Sequence, residues 1–319
     1  MSEKILITRR LPDTVLAAAE ARFDVVLRDN TQPMTEDELK IALAAYDGIL
    51  PTLGDPFTAE VFAAVPEPRC HVLANFGVGY NHINVSAATA AGILVSNTPG
   101  AVTDATADIA LTLMLMSARR ASEGERMLRA GNWHGWHPTQ MLGLHMSGKV
   151  VGIVGMGRIG KAIAHRAHHG FGMEVVFLNR SPVEDAGVPA RQLNSLSEVM
   201  STADIVVIAV PGGPATRHLI NAEALSSMRE TSHLINIARG DIVEEAALIN
   251  ALQSGQIAGA GLDVYENEPE VPEALRTLEN VTLLPHLGTA ALEVRTAMGM
   301  MAVENLFAFF DGKVLPNKL

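Results

Sequence analysis

Cysteine is nearly absent from this chain: Cys70 is the only one in 319 residues. A single thiol closes no internal disulfide and builds no thiolate metal cluster within one chain, and it suits a reducing compartment. Long apolar runs are missing too. The longest, Ile109 to Ala118, is interrupted by Thr112 and Ser117 and is shorter than the roughly 20 residues a bilayer requires. The apolar stretch Ile5, Leu6, Ile7 is closed by Arg9 and Arg10 and is too brief for a signal-peptide core. Positive charge is in deficit, with 24 Lys and Arg against 35 Asp and Glu, a formal net charge of −11, and no block of like charge appears. That sign opposes nonspecific contact with nucleic acid or anionic lipid, so an anionic ligand needs a local site. The expectation is a soluble, cytoplasmic protein with no nucleic-acid partner, no membrane partner and no bound metal.

What is present reads as an ordinary globular chain. Hydrophobic residues make up 48% and charged residues 18%, and a prior of about 150 residues per domain gives two domains. Short apolar runs alternate with helical patterns from end to end. They are Ile5–Thr8, Gly48–Leu50, His71–Ala74, Ile93–Ser96, Val150–Val154, Glu174–Leu178, Ile205–Val210, Leu234–Ile237, Ala258–Leu262 and Val281–Leu284. Strands without polar alternation are covered on both faces, which means parallel sheets flanked by helices and an α/β class. Thr35 with Glu38 forms a capping box that opens a helix, and Asp13–Ala21 reads as a short amphipathic one. A turn-rich stretch at Asn97, Thr98, Pro99 and Gly100 precedes one long helical pattern from Thr103 to Arg129, apolar around most of its circumference before Arg119. Two α/β blocks follow, residues 1 to about 98 and about 99 to 287, with the helical stretch Leu292–Phe310 free to return to the first.

Between the run Val150–Val154 and a helical pattern stands Gly155-Met-Gly157-Arg158-Ile159-Gly160, a G-x-G-x-x-G motif in the strand–loop–helix setting that dinucleotide binding requires. Gly155 permits the tight turn, Gly157 lets backbone approach a pyrophosphate, and Gly160 lets the helix pack on the strand. A site that prefers NAD places Asp or Glu at the end of the second strand, on the ribose 2′-hydroxyl. Here Asn179-Arg180-Ser181 stands instead, so no carboxylate repels a 2′-phosphate and Arg180 can pair with one. NADP(H) is favoured, with NAD(H) as the alternative.

Three later strands each run into an ionisable group: Arg239, then Asp263-Val-Tyr-Glu-Asn-Glu268, then His286. Ligands of open parallel sheets bind beyond the carboxyl ends of the strands, where these groups can converge. A guanidinium fork suits a carboxylate, an imidazole exchanges protons near neutral pH, and Glu268 can stabilise the imidazolium. Together they suit carbonyl reduction. The remaining histidines carry no such assignment. His134, His137 and His145 surround Trp133 and Trp136 without a carboxylate or thiol among them, His165, His168 and His169 read as a solvent-facing set, and Met114 and Met116 read as helix packing.

In order and spacing, Asn75-Phe76-Gly-Val78-Gly79-Tyr, the glycine loop, Asn236-Ile237-Ala238-Arg239-Gly, Asp263 to Glu268 and Pro285-His286-Leu-Gly288-Thr resemble the D-isomer-specific 2-hydroxyacid dehydrogenases over essentially the whole chain. Asn179-Arg180-Ser181 and the Trp133–Pro138 segment look most like the glyoxylate/hydroxypyruvate reductases of that family. The resemblance implies two doubly wound parallel-sheet domains, a Rossmann dinucleotide domain (99–287) inserted in a flavodoxin-like substrate domain (1–98 and 288–319). It also implies a homodimer built through the cofactor domain and the long helix. By motif position Arg239 would clamp the substrate, His286 would be the general acid in reduction, and Glu268 its partner. Val78 and Gly79 would present amides to the substrate carboxylate, with Phe76 and Trp136 near the substrate. Thr106, Arg158, Ile159, Pro211, Thr216, Ile237, Ala238, Asp263 and Gly288 would contact the cofactor.

Ile237 and Thr289 depart mildly from the family pattern, and the missing acid after the second strand departs from its NAD-using majority. The implied activity is NADPH-dependent reduction of small 2-oxo acids, glyoxylate and hydroxypyruvate first. The alternatives are a relative acting on a larger 2-oxo acid or phosphite, or a dinucleotide-sensing binding protein of the same fold. Glu268 disfavours a formate enzyme, and a chain of this length disfavours a phosphoglycerate enzyme with an added regulatory domain.

Overall fold

Apolar runs bounded by helical segments can bury both faces only by stacking in parallel, and they do so twice. The computed structural model describes residues 2–319 and divides into two units, Met1–Val102 with Ala290–Leu319, and Thr103–Thr289.

The first unit holds β1 (Lys4–Ile7), β2 (Asp24–Leu27), β3 (Gly48–Leu50), β4 (Val72–Ala74) and β5 (Leu94–Ser96) in the order β2-β1-β3-β4-β5, every pair parallel. This is the flavodoxin-like order. Its helices are α1 (Asp13–Glu20), α2 (Glu36–Ala45), α3 (Ala59–Ala63), α4 (Val85–Ala90) and, from the far end of the chain, α12 (Leu292–Phe310). The capping box is present at α2: Thr35 Oγ1 accepts the Glu38 amide at 3.3 Å, and Glu38 Oε2 accepts the Thr35 amide at 2.7 Å. Helix α12 buries Ala302, Val303 and Leu306 among Ile5, Ile7, Val15 and Val72. Gly299 permits the close approach, since a Cβ there would lie 2.6 Å from a Val15 methyl.

The second unit holds β6 (Val150–Val154), β7 (Glu174–Leu178), β8 (Ala190–Gln192), β9 (Ile205–Ile208), β10 (His233–Asn236), β11 (Gly259–Leu262) and β12 (Val281–Leu283). Their order is β12-β11-β10-β9-β6-β7-β8, all parallel, so the direction of winding reverses between β6 and β9. Helices α5 (Thr103–Ala118) and α7 (Arg158–Phe171) cover one core, built on Leu113, Met114, Ile153, Ile163 and Ile235. Helices α8 (Leu196–Thr202), α9 (Ala222–Ser226) and α10 (Glu245–Gln253) cover the other, built on Val199, Val206, Leu225 and Leu248. Two further helices, α6 (Ala121–Arg129) and α11 (Glu273–Arg276), complete the unit.

The single helix expected over Thr103–Arg129 is two. Helix α5 stops at Ala118 because the Ala118 carbonyl accepts the Leu144 amide at 2.7 Å, and Arg120 turns left-handed at φ 53° before α6 begins. Strands β2 and β8 were not anticipated. His168 also departs from the solvent-facing reading: its Nδ1 lies 3.1 Å from the Met173 carbonyl and it is half-buried, while His165 and His169 are exposed. Among the described residues no helix is long and apolar enough to cross a membrane.

His233 at the start of β10 is 6% exposed and its Nδ1 lies 2.8 Å from Ser117 Oγ on α5. Burial pushes its imidazole down from the ordinary 6.5 to about 4. Between those values the unfolded chain binds a proton that the folded chain does not, so stability rises with pH across that window, by about 3 kcal/mol in full. Urea unfolding from pH 4 to 7 should show this slope, and His233→Gln should flatten it. A slope that the substitution leaves intact would assign it to other groups.

Candidate active site

The glycine loop closes the switch point between β6 and β9. Gly155 sits at φ 102°, and a Cβ there would lie 2.7 Å from the Ala209 carbonyl oxygen; one at Gly160 would overlap the Gly155 carbonyl. At Gly157, the residue before α7, a Cβ would project into open space with nothing within 4 Å. The first-turn amides of a helix have no intrahelical acceptor and favour an anion. A pyrophosphate therefore fits a cradle that only glycine leaves open, with Arg158 exposed and Ile159 half-buried at its rim.

The end of β7 is braced from the loop itself. Asn179 Oδ1 accepts the Met156 amide at 3.2 Å, its Nδ2 donates to the Ser181 carbonyl at 2.9 Å, and Gln192 on β8 donates to the carbonyls of Asn179 and Ser181 at 3.3 and 3.2 Å. Arg180 and Ser181 are exposed, and no hydrogen bond or ion pair engages the Arg180 guanidinium among the described residues. After β9, Thr216 Oγ1 donates to the Pro211 carbonyl at 2.8 Å and shapes that turn.

Arg239, Glu268 and His286 stand beyond the ends of β10, β11 and β12, as the sequence reading expects. Buried Asn236 accepts the Ala238 amide at 3.0 Å and donates to the Arg239 carbonyl at 2.8 Å, fixing the Ile237–Arg239 segment. Gly212 makes room for the Arg239 stem, since a Cβ there would lie 2.8 Å from Arg239 Cγ. Asp263, 1% exposed, accepts the amides of Leu287 and Gly288 at 2.6 and 2.8 Å, and the His286 amide donates to its carbonyl at 3.0 Å. Thr106 Oγ1 closes the turn on the Gly288 carbonyl at 3.2 Å.

His286 Nδ1 then lies 2.8 Å from Glu268 Oε2, with both side chains about a third exposed, while Glu268 Oε1 accepts the Tyr265 amide at 3.1 Å. An ionised Glu268 requires the proton on Nδ1, which leaves Nε2 to exchange a proton with a ligand. Burial works against the Glu268 carboxylate, but the hydrogen bond and charge of His286, the Tyr265 amide and the Arg239 charge outweigh it, and its pKa falls below the ordinary range. Burial lowers the Arg239 pKa, against the opposing pull of Glu268 and Asp241. The Asp263 carboxyl is pushed up by burial despite its two amide donors and the His286 charge. An imidazole held by one carboxylate beside a half-buried guanidinium can protonate an oxyanion while a carboxylate ligand is held in place.

In the first unit, the loop after β4 is tied down by its carbonyls. Asn75 Nδ2 donates to the carbonyls of Gly77 and Gly79 at 3.0 and 3.1 Å, Asn97 Nδ2 to that of Val78 at 2.9 Å, and His82 Nε2 lies 3.1 Å from Asn75 Oδ1. The Val78 and Gly79 amides stand outside this set, and Phe76 is half-buried beside them. Trp136, in the exposed segment before β6, is 76% exposed, and no described interaction links it to Arg239, Glu268 or His286. The sequence reading did not single out Asn236, Tyr265 or Gln192. A buried Asn closing a strand was a signal available for Asn236; the roles of Tyr265 and Gln192 depend on partners that only the fold brings close.

A phosphate-type loop at the switch point and an acid–base pair at neighbouring strand ends define a nicotinamide-dependent oxidoreductase. The family follows from comparison: residues 111–288, more than half of the chain, match the D-isomer specific 2-hydroxyacid dehydrogenase NAD binding domain, and the chain belongs to that family. It is 41% identical to a glyoxylate reductase of Thermococcus kodakarensis over 321 residues, covering 99% of this chain and 96% of that one. It is 36% identical to a glycerate dehydrogenase of Hyphomicrobium methylovorum, covering 97% of each. The crystal structure of an NADPH-dependent glyoxylate/hydroxypyruvate reductase from Sinorhizobium meliloti, in complex with NADP and malonate, superposes with a TM-score of 0.87 at 36% identity, covering 100% of this chain and 97% of that one.

Gly240 follows Arg239, and a Cβ there would overlap the Tyr265 carbonyl and the Glu266 amide. Gly240→Ala is therefore expected to cost at least about 3 kcal/mol, because the clash is with backbone that cannot rotate away. Denaturant unfolding checks this; a loss under about 1 kcal/mol would mean the segment moves aside freely.

Proposed function

We propose that this chain reduces small 2-oxo acids, glyoxylate and hydroxypyruvate first, to 2-hydroxy acids, with NADPH preferred over NADH. The observation that carries the reading is the 2.8 Å pair between His286 Nδ1 and Glu268 Oε2 beside the half-buried Arg239. The reduced nicotinamide, when bound, supplies the hydride that the carbonyl carbon receives. Arg239 holds the substrate carboxylate and carbonyl through its fork of donors. His286 gives the Nε2 proton to the developing alkoxide, and Glu268 keeps the imidazolium aligned until that transfer. Gly155, Gly157, Arg158, Ile159 and Gly160 receive the pyrophosphate, with Thr106, Asn179, Pro211, Thr216, Ile237, Ala238, Asp263 and Gly288 around the rest of the cofactor.

The preference for NADPH rests on the Arg180–Ser181 pair and on the lack of a carboxylate between Leu178 and Pro182. The glyoxylate reductase and glyoxylate/hydroxypyruvate reductase activities of the relatives favour glyoxylate over larger 2-oxo acids or phosphite. Exposed Leu128, Trp133, Trp136 and Leu142 form apolar surface in the second unit, and the reading assigns it to a homodimer. A cytoplasmic location accords with one cysteine, fully buried, whose thiol burial pushes up to about 12.

Initial rates with NADPH and NADH against glyoxylate, hydroxypyruvate, pyruvate and phenylpyruvate test substrate and cofactor together. Fast NADPH turnover on the two smallest acids is expected, and Arg180→Glu should reverse the preference toward NADH. A wild-type preference for NADH would overturn the 2′-phosphate reading; cofactor binding without turnover on any acid would favour a dinucleotide-sensing protein. His286→Ala and Arg239→Lys should each lower kcat/KM by about 10² to 10⁴. Near wild-type values for either variant would remove that residue from the mechanism.

A further inference from the structure

A second histidine–carboxylate pair shares a loop with the first. His218 Nε2 is 2.7 Å from Glu266 Oε1, and Arg217 Nη2 reaches the same oxygen at 3.4 Å. The other oxygen, Oε2, faces the Glu245 amide at 3.4 Å at the start of α10, and the Glu266 amide reaches back to Glu245 Oε2 at 3.4 Å. The backbone of the same segment is tied to the strand-end loop that follows Arg239: the His218 amide donates to the Asp241 carbonyl at 2.8 Å, and Ile220 pairs with Ile242 and Glu244 on either side. Three segments therefore meet at one side chain. They are the turn that carries Gly212 against the Arg239 stem, the segment from Arg239 into α10, and the loop Tyr265–Glu268 that holds the His286 partner.

The sequence reading gave His218 and Glu266 no role, and neither touches the Glu268–His286 pair. Yet Glu266 sits between Tyr265, whose amide holds Glu268 Oε1, and Glu268 itself. His218 also occupies φ 54°-like left-handed backbone, at 51°, the conformation that His286 adopts at 54°. L-residues persist there only where surrounding bonds fix them. The His218 hydrogen bond and charge lower the Glu266 pKa against the opposing effect of burial, so the carboxylate remains an acceptor throughout the neutral range.

We propose that His218 is a positioning residue: by holding Glu266 it fixes the Tyr265–Glu268 loop, and through it the carboxylate that aligns His286. The inference rests on the assignment of Glu268 and His286 as the working acid pair. Losing the His218 contact frees Glu266 to turn toward solvent and lets Glu268 drift, and a displacement of about 1 Å at a catalytic group costs up to about 100-fold in rate.

The test uses His218→Ala, His218→Gln and Glu268→Gln, alone and combined, in the full chain. His218→Ala should lower kcat about 10-fold while leaving the NADPH dissociation constant within about twofold, and His218→Gln, which keeps a donor near Nε2, should restore most of the loss. In the Glu268→Gln background His218→Ala should cost little more, because its effect passes through Glu268. Amide hydrogen exchange at Tyr265 gives a readout independent of turnover, since the acceptor of that amide is Glu268: exchange should speed about 10-fold in His218→Ala and return in His218→Gln. Unchanged exchange at Tyr265, unchanged kcat, an equal loss in both backgrounds, or a loss that Gln does not rescue would each overturn the proposal. If the wild-type protein turns over no 2-oxo acid, the proposed function fails while Tyr265 exchange still decides whether His218 positions the loop.

Discussion

The buried carboxylate of Asp263 is the constraint on which the site depends. Two amides, Leu287 and Gly288, point into it from the chain after β12, and its own carbonyl takes the His286 amide. Only an ionised carboxylate accepts both amides without presenting a donor of its own; an Asn at this position would turn an NH₂ group against one of them. The three bonds reverse the chain within three residues of the strand end and set His286 at φ 54°. From that backbone the imidazole meets Glu268. Thr106 on α5 fastens the same turn, so the position of the imidazole is tied to the helix that forms the wall of the core. Burial pushes the Asp263 carboxyl up while the two amides pull it down, and burial is the larger effect.

The parts of this arrangement that lie in local sequence were legible there. Doubly covered strands show as apolar runs, and the ten expected strands match the observed bounds to within two residues. The glycine loop shows because backbone sterics dictate Gly155 and Gly160 and open space in front of α7 fits Gly157, and α2 shows because Thr35 and Glu38 satisfy each other's backbone within one turn. The strand β2, Asp24–Leu27, was hidden because it is four residues long and starts on a charge, and β8, Ala190–Gln192, because three mostly exposed residues carry no apolar pattern. The break between α5 and α6 depends on an amide from Leu144, 26 residues beyond the carbonyl it takes, and a helical period cannot report such a competitor. Tyr265 and Gln192 were missed for the same reason: each acts as a brace only once segments distant in sequence have met.

An acidic chain that handles anionic ligands must gather its few cations where they are used. With a net charge of −11, the surface as a whole repels carboxylates and phosphates. Arg239 is half-buried, and that desolvation weakens its hold on the proton while strengthening the interactions its fork makes. Arg158 and Arg180 remain in solvent, where attraction is screened. Arg158 stands at the rim of a cradle that glycine and the helix N-terminus form, and Arg180 just beyond the end of β7.

Strain is distributed in the same pattern. His286 and His218 both occupy left-handed backbone, which costs an L-residue on the order of 1–3 kcal/mol. Glycine at either position would relieve that cost and lose the side chain, so the strain is the condition for placing an imidazole at a reversal of the chain. Both reversals are over-determined by backbone bonds, His286 by Asp263 and His218 by Asp241, and each imidazole ends on a glutamate of one six-residue stretch, Asp263–Glu268. That stretch cannot relax at one end without disturbing the other, because Tyr265, directly before Glu266, donates its amide to Glu268 at 3.1 Å and is itself pinned through its hydroxyl to the Leu284 carbonyl at 2.8 Å. A loop so fixed gives up stability to backbone strain and buried polar groups, and what it gains is an imidazole whose one free nitrogen has a single direction to face.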